Sequence, residues 1–310
     1  MPHISIVTPC YQEAGNVREL AQRIRDVMAA CPRYTYEHVY IDNGSTDGTR
    51  QILRELASED SRIKVILNAR NFGHVRSGYH ALLQTRGDCV IGMASDFQDP
   101  PELIPQFLEH WEQGAPIVLG VKTSSQEASV LFAVRGWYYR LLARIADVQV
   151  VQHATGFGLY DRRVIEDLRR IDDPYPYFRG LLAEIGYTPT LVSFHQPTRA
   201  RGASSQSFWT LYDLALTGVV NHSKIPLRMA VIAGVACALL SLLTGLGYLA
   251  YKLLYWESFS VGIAPVVIGV FFLSAVQLAF IGVLGEYLGA VWTHVRRHPH
   301  VFEAERLNFD

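Results

Sequence analysis

The chain has 310 residues, 49% of them hydrophobic and 18% charged, with a formal net charge of −1. A near-neutral balance provides no global field to attract nucleic acid, so no nucleic-acid partner is expected, and the length allows about two ordinary domains. The hydrophobic share is high for a wholly soluble protein, and the excess is local: residues 229–251 and 258–285 carry no charged side chain.

In chain order, residues 3–8 form a short β-branched run that predicts a strand, and 17–30 have helical apolar spacing. A strand at 38–41, a helix around 49–57, a strand at 63–67, a helix near 77–84 and a buried strand at 89–93 follow. This order argues for an α/β fold with a mainly parallel sheet and helices on both faces. Pro100, Pro101 and Pro105 mark a loop and the first turn of another helix, and 117–121 is a further strand. Residues 202–207, rich in small polar side chains, read as a mobile loop.

Phe208, Leu211, Tyr212, Ala215 and Val219 recur at helical spacing within 207–223, ahead of Lys224 and Arg228. Such a helix fits two placements, at the membrane surface with its aromatic side down or packed on the N-terminal domain. The two uncharged stretches each exceed the roughly 20 residues that cross a bilayer as a helix. A buried hairpin would need a larger surrounding domain than the remaining sequence supplies. Lys224 and Arg228 precede the first stretch, His294, Arg296, Arg297 and His298 follow the second, and only Lys252 and Glu257 lie between. By the positive-inside tendency both ends are cytoplasmic. The N-terminus lacks a secretory pattern, which keeps the first 220 or so residues in the cytoplasm of a plasma-membrane protein. The expected division is a cytoplasmic domain over 1–206, a juxtamembrane helix over 207–228, two transmembrane helices over 229–290 and a cytoplasmic tail over 291–310. Gln277 and Glu286 flank or enter the second span and point to homo-oligomer contact or to lipid-head contact. Cys10, Cys31, Cys89 and Cys237 have no metal spacing and read as reduced packing residues.

Chemistry-bearing residues fall at strand ends. Asp96, Gln98 and Asp99 follow the strand at 89–93, where open α/β sheets bind ligands, and carboxylates there suit a divalent cation holding a diphosphate. Pro9, Tyr11 and Glu13 follow the first strand, and Asp42 and Asp47 the second, with Gly44 and Gly48 allowing backbone N–H groups to approach a ligand. Arg70 and Gly73 follow the third. Any one of these fits ordinary turn chemistry; their convergence on one sheet edge does not. Neither GxGxxG nor GxxxxGK[ST] occurs, which argues against a dinucleotide oxidoreductase and a P-loop NTPase. His74, His153 and His195 lack zinc spacing and read as structural or surface residues.

TPCYQEAGNV, DNGSTDGT, RNFG and DFQDPPE, in that order and followed by a pair of spans, resemble the family 2 glycosyltransferases of type A fold. More narrowly the chain is similar to the polyisoprenyl-phosphate glycosyltransferases, which include dolichol-phosphate mannose synthases and bacterial undecaprenyl-phosphate sugar transferases. The resemblance implies that Pro9, Tyr11, Glu13 and Asp42 line a nucleotide pocket with Arg70 and Gly73 nearby. It also implies that Asp96, assisted by Gln98, holds Mg²⁺ or Mn²⁺, with Asp99 beside them in catalysis. The family's DADLQ motif corresponds to residues 94–98, so its first acid is Ala94 here. Asn43 stands where a second Asp is common, and TGFGL at 155–159 replaces GDFRL, losing an acid and a base.

A polyprenyl phosphate is already anionic near neutral pH, so its attack on an anomeric carbon needs no strong base; the departing nucleoside diphosphate is what needs charge stabilisation. One direct displacement inverts the anomeric centre. The resemblance places Lys122 and Arg135 at the lipid phosphate. Arg199 and Arg201 are further candidates, Arg179 is ambiguous, and Ser205 occupies a position usually held by Lys. UDP-glucose is the preferred donor by family frequency. Two other readings are a polysaccharide synthase, for which QxxRW is absent and two spans are few, and a noncatalytic nucleotide-binding tether, which the missing acid at Ala94 favours.

Overall fold

The structure, a computed structural model, describes residues 1–122, 154–171, 173–174, 176–197, 225–255, 263–296 and 298–309. Among the described residues the strands are β1 (His3–Cys10), β2 (Thr35–Asp42), β3 (Ile63–Asn68), β4 (Cys89–Gly92), β5 (Ile117–Lys122), β6 (Ala154–Asp161), β7 (Thr190–Phe194) and β8 (Glu303–Leu307). They form one sheet in the order β7-β5-β6-β4-β1-β2-β3-β8. From β4 through β1 and β2 to β3 the pairing is parallel. Strand β6 runs antiparallel to both β4 and β5, β7 is parallel to β5, and β8 is antiparallel to β3. The expected mainly parallel sheet is therefore present, with reversed strands at β6 and β8.

Strands covered on both faces need near-continuous apolar runs, and the sequence supplies them. On one face Ile4, Ile6, Tyr40, Val65, Leu67 and Ile91 pack against α1 (Val17–Ala29), α2 (Thr49–Glu59) and α4 (Ile104–Glu112). On the other face Val7, Val39, Ile41, Ile66 and Val90 meet α3 (His74–Leu83), α5 (Arg162–Arg170) and α6 (Phe178–Ile185). Helix α1 buries Val17, Leu20, Ala21, Ile24 and Met28, the stripe its 3.6-residue period predicts. All four cysteines are free thiols, with Cys10 and Cys89 buried as packing residues.

Helices α7 (Ile225–Leu254) and α8 (Ile263–Arg296) are both long and apolar enough to cross a membrane, and none of their apolar windows is buried by protein. Among the described residues nothing covers them: Leu243, Phe271 and Leu278 are more than half exposed, unlike the core hairpin of a soluble domain. The amphipathic segment 207–223 and the loop 202–207 lie outside the described residues.

Beyond α8 the chain returns to the sheet. Ala69 N–H donates to Phe302 O at 2.8 Å, β8 pairs with β3, and Asn308 Nδ2 donates to Ala57 O and Ile63 O at 2.7 and 2.8 Å. Arg54 pairs with Glu305 at 2.7 Å. The two apolar helices are thus inserted between β7 and β8 of one sheet.

Candidate active site

The loops that follow β1, β2, β3 and β4, together with the end of β5, gather at one edge of the sheet. Parallel register aligns Cys10 with Asp42 and Asp42 with Leu67, so three strands end level and their loops face one another. Pro9, Tyr11 and Glu13, Asp42, Arg70 and Gly73, Asp96, Gln98 and Asp99, and Lys122 are all brought to this edge. Arg135, Arg199, Arg201, Ser205 and His153 lie outside the described residues.

The first two loops are sewn together. Gln12 N–H donates to Ser45 Oγ at 2.9 Å, and Glu13 N–H donates to Thr49 Oγ1 at 2.9 Å. Ala14 N–H donates to Asp47 at 3.1 Å. Partial burial opposes the charge on Asp47, but the Thr49 hydroxyl and the N–H groups of Ala14 and Thr49 outweigh it and hold the carboxyl below its usual range. Gln12 adopts a left-handed φ of 60°, an uncommon backbone state that these contacts sustain.

Asp42 is fully buried. Its carboxylate accepts from Gly44 N–H and Ser45 N–H, each at 3.1 Å, and pairs with Arg50 Nε at 2.7 Å. Arg50 also donates to the Asn68 carbonyl, so one guanidinium ties the ends of β2 and β3 together. Asp42 in this state organises the 43–48 turn. Gly44, at φ 85°, approaches the next loop so closely that a Cβ would sit 2.7 Å from the backbone of Arg70 and Asn71.

Asn43 then anchors the third loop. Its Nδ2 donates to Asn71 Oδ1 at 2.9 Å, while its Oδ1 accepts from Phe72 N–H at 2.9 Å and from Asn68 Nδ2 at 3.3 Å. Asn68 also donates to Ser77 Oγ at 3.0 Å, and Gly73 N–H to Asn71 Oδ1 at 2.8 Å. Arg70 is exposed at the rim and stacks its guanidinium 4.1 Å over the Phe72 ring. Sequence reasoning overlooked Arg50 and this asparagine network; the available signal was a polar Asn closing an otherwise apolar strand at position 68.

Around 94–99 the chain turns tightly. Gln98 N–H donates to Asp96 Oδ1 at 3.2 Å and Ala94 N–H to Asp99 Oδ2 at 2.9 Å. Phe97 between them has φ 62°, an outlier for an aromatic residue, and is held under the Arg23 guanidinium, which in turn pairs with Glu102 at 2.8 Å. Asp96 and Asp99 are 7% and 6% exposed, and Gln98 is half-buried. Burial raises the Asp99 carboxyl to about 6, with Asp96 adding to the rise and Ala94 N–H and Lys122 opposing it. Lys122, at the end of β5, thus acts electrostatically on Asp99. Burial also raises the Tyr160 phenol, with Arg179 opposing and Asp99 reinforcing.

Strand β6 contributes backbone where the family motif carries side chains. Gly156 has φ 95°, and a Cβ on Gly158 would lie 2.4 Å from Val118 O across the β5–β6 ladder. The glycines at these positions match the local backbone, and this register leaves no room for a side chain at 158, whereas 156 is open.

Among the described residues no three His, Cys, Asp or Glu side chains are grouped to hold a metal unaided. Asp96, Asp99 and the Gln98 amide are hard oxygen donors, the set a Mg²⁺ or Mn²⁺ ion accepts when substrate oxygens complete its shell.

Residues 5–169 match the family model "Glycosyl transferase family 2". The chain is 31% identical over 300 residues to the glycosyltransferase sll0501 of Synechocystis, covering 96% of this chain and 93% of that one. It is 30% identical over 297 residues to the bactoprenol glucosyl transferase of Shigella phage SfII, covering 96% of each. Among solved structures, glucosyl-3-phosphoglycerate synthase of Mycobacterium tuberculosis in complex with phosphoglyceric acid aligns at 20% identity with a TM-score of 0.48, covering 71% of this chain and 78% of that one. By its matched domain and its near full-length relatives, the chain belongs to glycosyl transferase family 2.

Proposed function

We propose that the protein transfers a sugar, by preference glucose from UDP-glucose, onto a polyprenyl phosphate at the cytoplasmic face of the plasma membrane, with inversion at the anomeric carbon. The observation that carries this reading is the convergence of four strand-end loops, two buried carboxylates and Lys122 on the sheet edge of a domain attached to two apolar helices. The bactoprenol glucosyl transferase relative supports the lipid acceptor and the glucosyl group. Because β7 and β8 of one sheet flank the helices, the chain must leave and re-enter on the same side, which supports two crossings.

In this reading Pro9, Tyr11, Glu13, Asp42, Arg70 and Gly73 form the nucleotide pocket, and Asp96, Gln98 and Asp99 face the diphosphate. A bound Mg²⁺ or Mn²⁺ would supply positive charge where the diphosphate departs. Lys122, with Arg135, Arg199 and Arg201, binds the lipid phosphate, whose oxygen forms the new bond as the bond from the sugar to the diphosphate breaks. No proton has to leave the nucleophile, so the lack of an acid at Gly156 does not remove a required base.

The test is transfer of labelled glucose from UDP-glucose to undecaprenyl phosphate by the purified protein with Mg²⁺ or Mn²⁺. Asp96→Ala is expected to abolish transfer, about a thousandfold or more, while membrane insertion persists. Full activity in that variant removes the assignment of Asp96. Nucleotide binding by the parent protein without transfer to lipid favours the tether reading, which Ala94 supports.

A further inference from the structure

The loop that carries Arg70 and Gly73 is held from the far end of the chain. Ala69 N–H donates to Phe302 O and Arg76 Nη2 to Pro299 O, both at 2.8 Å. The Phe302 ring lies 6.1 Å from the Phe72 ring, and the Arg76 guanidinium 5.8 Å from it. Phe72 is 8% exposed although it sits on a surface loop, whereas Phe302 is 55% exposed, so the C-terminal segment helps to cover Phe72. Two further contacts fasten the same segment to α3 and to the loop before α6: His80 Nε2 with Glu303 Oε1 at 2.6 Å, and His300 Nε2 with Asp173 O at 2.9 Å. Only residues 297 and 298 separate it from the end of α8.

We infer that residues 299–302 are a positioning strap for the donor pocket, in which Arg76 and Phe302 set the 69–73 loop from the end of the second membrane helix. Neither residue touches the reacting atoms. The geometry makes nucleotide affinity depend on how the end of α8 is held, because the strap and that helix are one continuous chain. This rests on the reading of the 69–73 loop as part of the nucleotide pocket.

The experiment uses full-length protein in nanodiscs, with Phe302→Ala and Arg76→Ala as variants, UDP as the calorimetric probe, and amide hydrogen exchange read residue by residue. UDP binding is expected to weaken about three- to tenfold in each variant, the scale of one aromatic or charged contact. Exchange at 69–73 is expected to quicken while that of β1 is unchanged, and Phe302→Tyr, which keeps the ring, restores both. A lowered thermal midpoint with unchanged UDP affinity and unchanged exchange at 69–73 would show a merely structural strap and overturn the inference. Where Phe302→Ala does not fold, Phe302→Leu carries the same comparison. Failure of the parent to bind UDP defeats the donor-pocket reading instead; exchange at 69–73 then still decides, faster exchange supporting the strap and no change overturning it.

Discussion

At position 43 an amide does what a carboxylate cannot, donating from one atom while accepting at another. Asn43→Asp therefore loses the bond to Asn71 and adds a charge next to buried Asp42, at a cost of about 1–3 kcal/mol. Chemical denaturation of the purified variant measures it, and unchanged stability would show that the network is dispensable. His38 is a second residue whose surroundings decide its behaviour. Burial pulls its imidazole down to about 3, with Asp60 only partly opposing, and Thr8 Oγ1 lies 3.0 Å from its Nε2. The ring is neutral in the folded state, whereas the unfolded chain takes up a proton below about pH 6.5. The stability it contributes is complete above pH 6.5 and is lost as pH falls from there toward 3, at up to about 1.4 kcal/mol per pH unit. In His38→Gln the thermal midpoint should fall less steeply between pH 6.5 and 4, and an unaltered slope would assign the acid sensitivity to other groups.

The elements explain which substitutions the site will accept. With Val118 O only 2.4 Å from where a Cβ would stand, Gly158→Arg cannot be accommodated without breaking the β5–β6 ladder, and loss of folded protein is the expected result. Gly156→Asp meets open space and bears only the positive-φ backbone penalty, about 1–3 kcal/mol, so it should fold. Comparing the soluble, monodisperse yield of the two variants checks this. Strands β1 to β5 were legible in the chain because β-branched runs separated by amphipathic helices have few other solutions. Likewise the candidate site was legible in part because its residues sit directly after those runs. Neither the asparagine network nor Arg50 could be read, since a polar side chain's partner lies on another strand and period alone does not say which. Strand β8 escaped for a different reason: the five residues Glu303–Leu307 carry three charges, and their partner lies about 240 positions earlier.

On the scale of the whole molecule, the sheet fixes the path of the two apolar helices. A cysteine placed at Tyr255, between α7 and α8, should react with a membrane-impermeant thiol reagent added from the outer face of intact cells, and one at Asn308 should not. Equal labelling at both sites would exclude a two-crossing hairpin. The same arrangement sets an order of synthesis. A ribosome that has made everything through β7 has still to make two apolar helices of 30 and 34 residues before β3 receives its neighbour, so the sheet stays unfinished until both are complete. A fragment ending ahead of α7 leaves β3 as a bare edge, with unpaired N–H and C=O groups of the kind that template aggregation. Cutting the chain ahead of its two apolar helices would therefore take a strand out of the sheet that carries the candidate site.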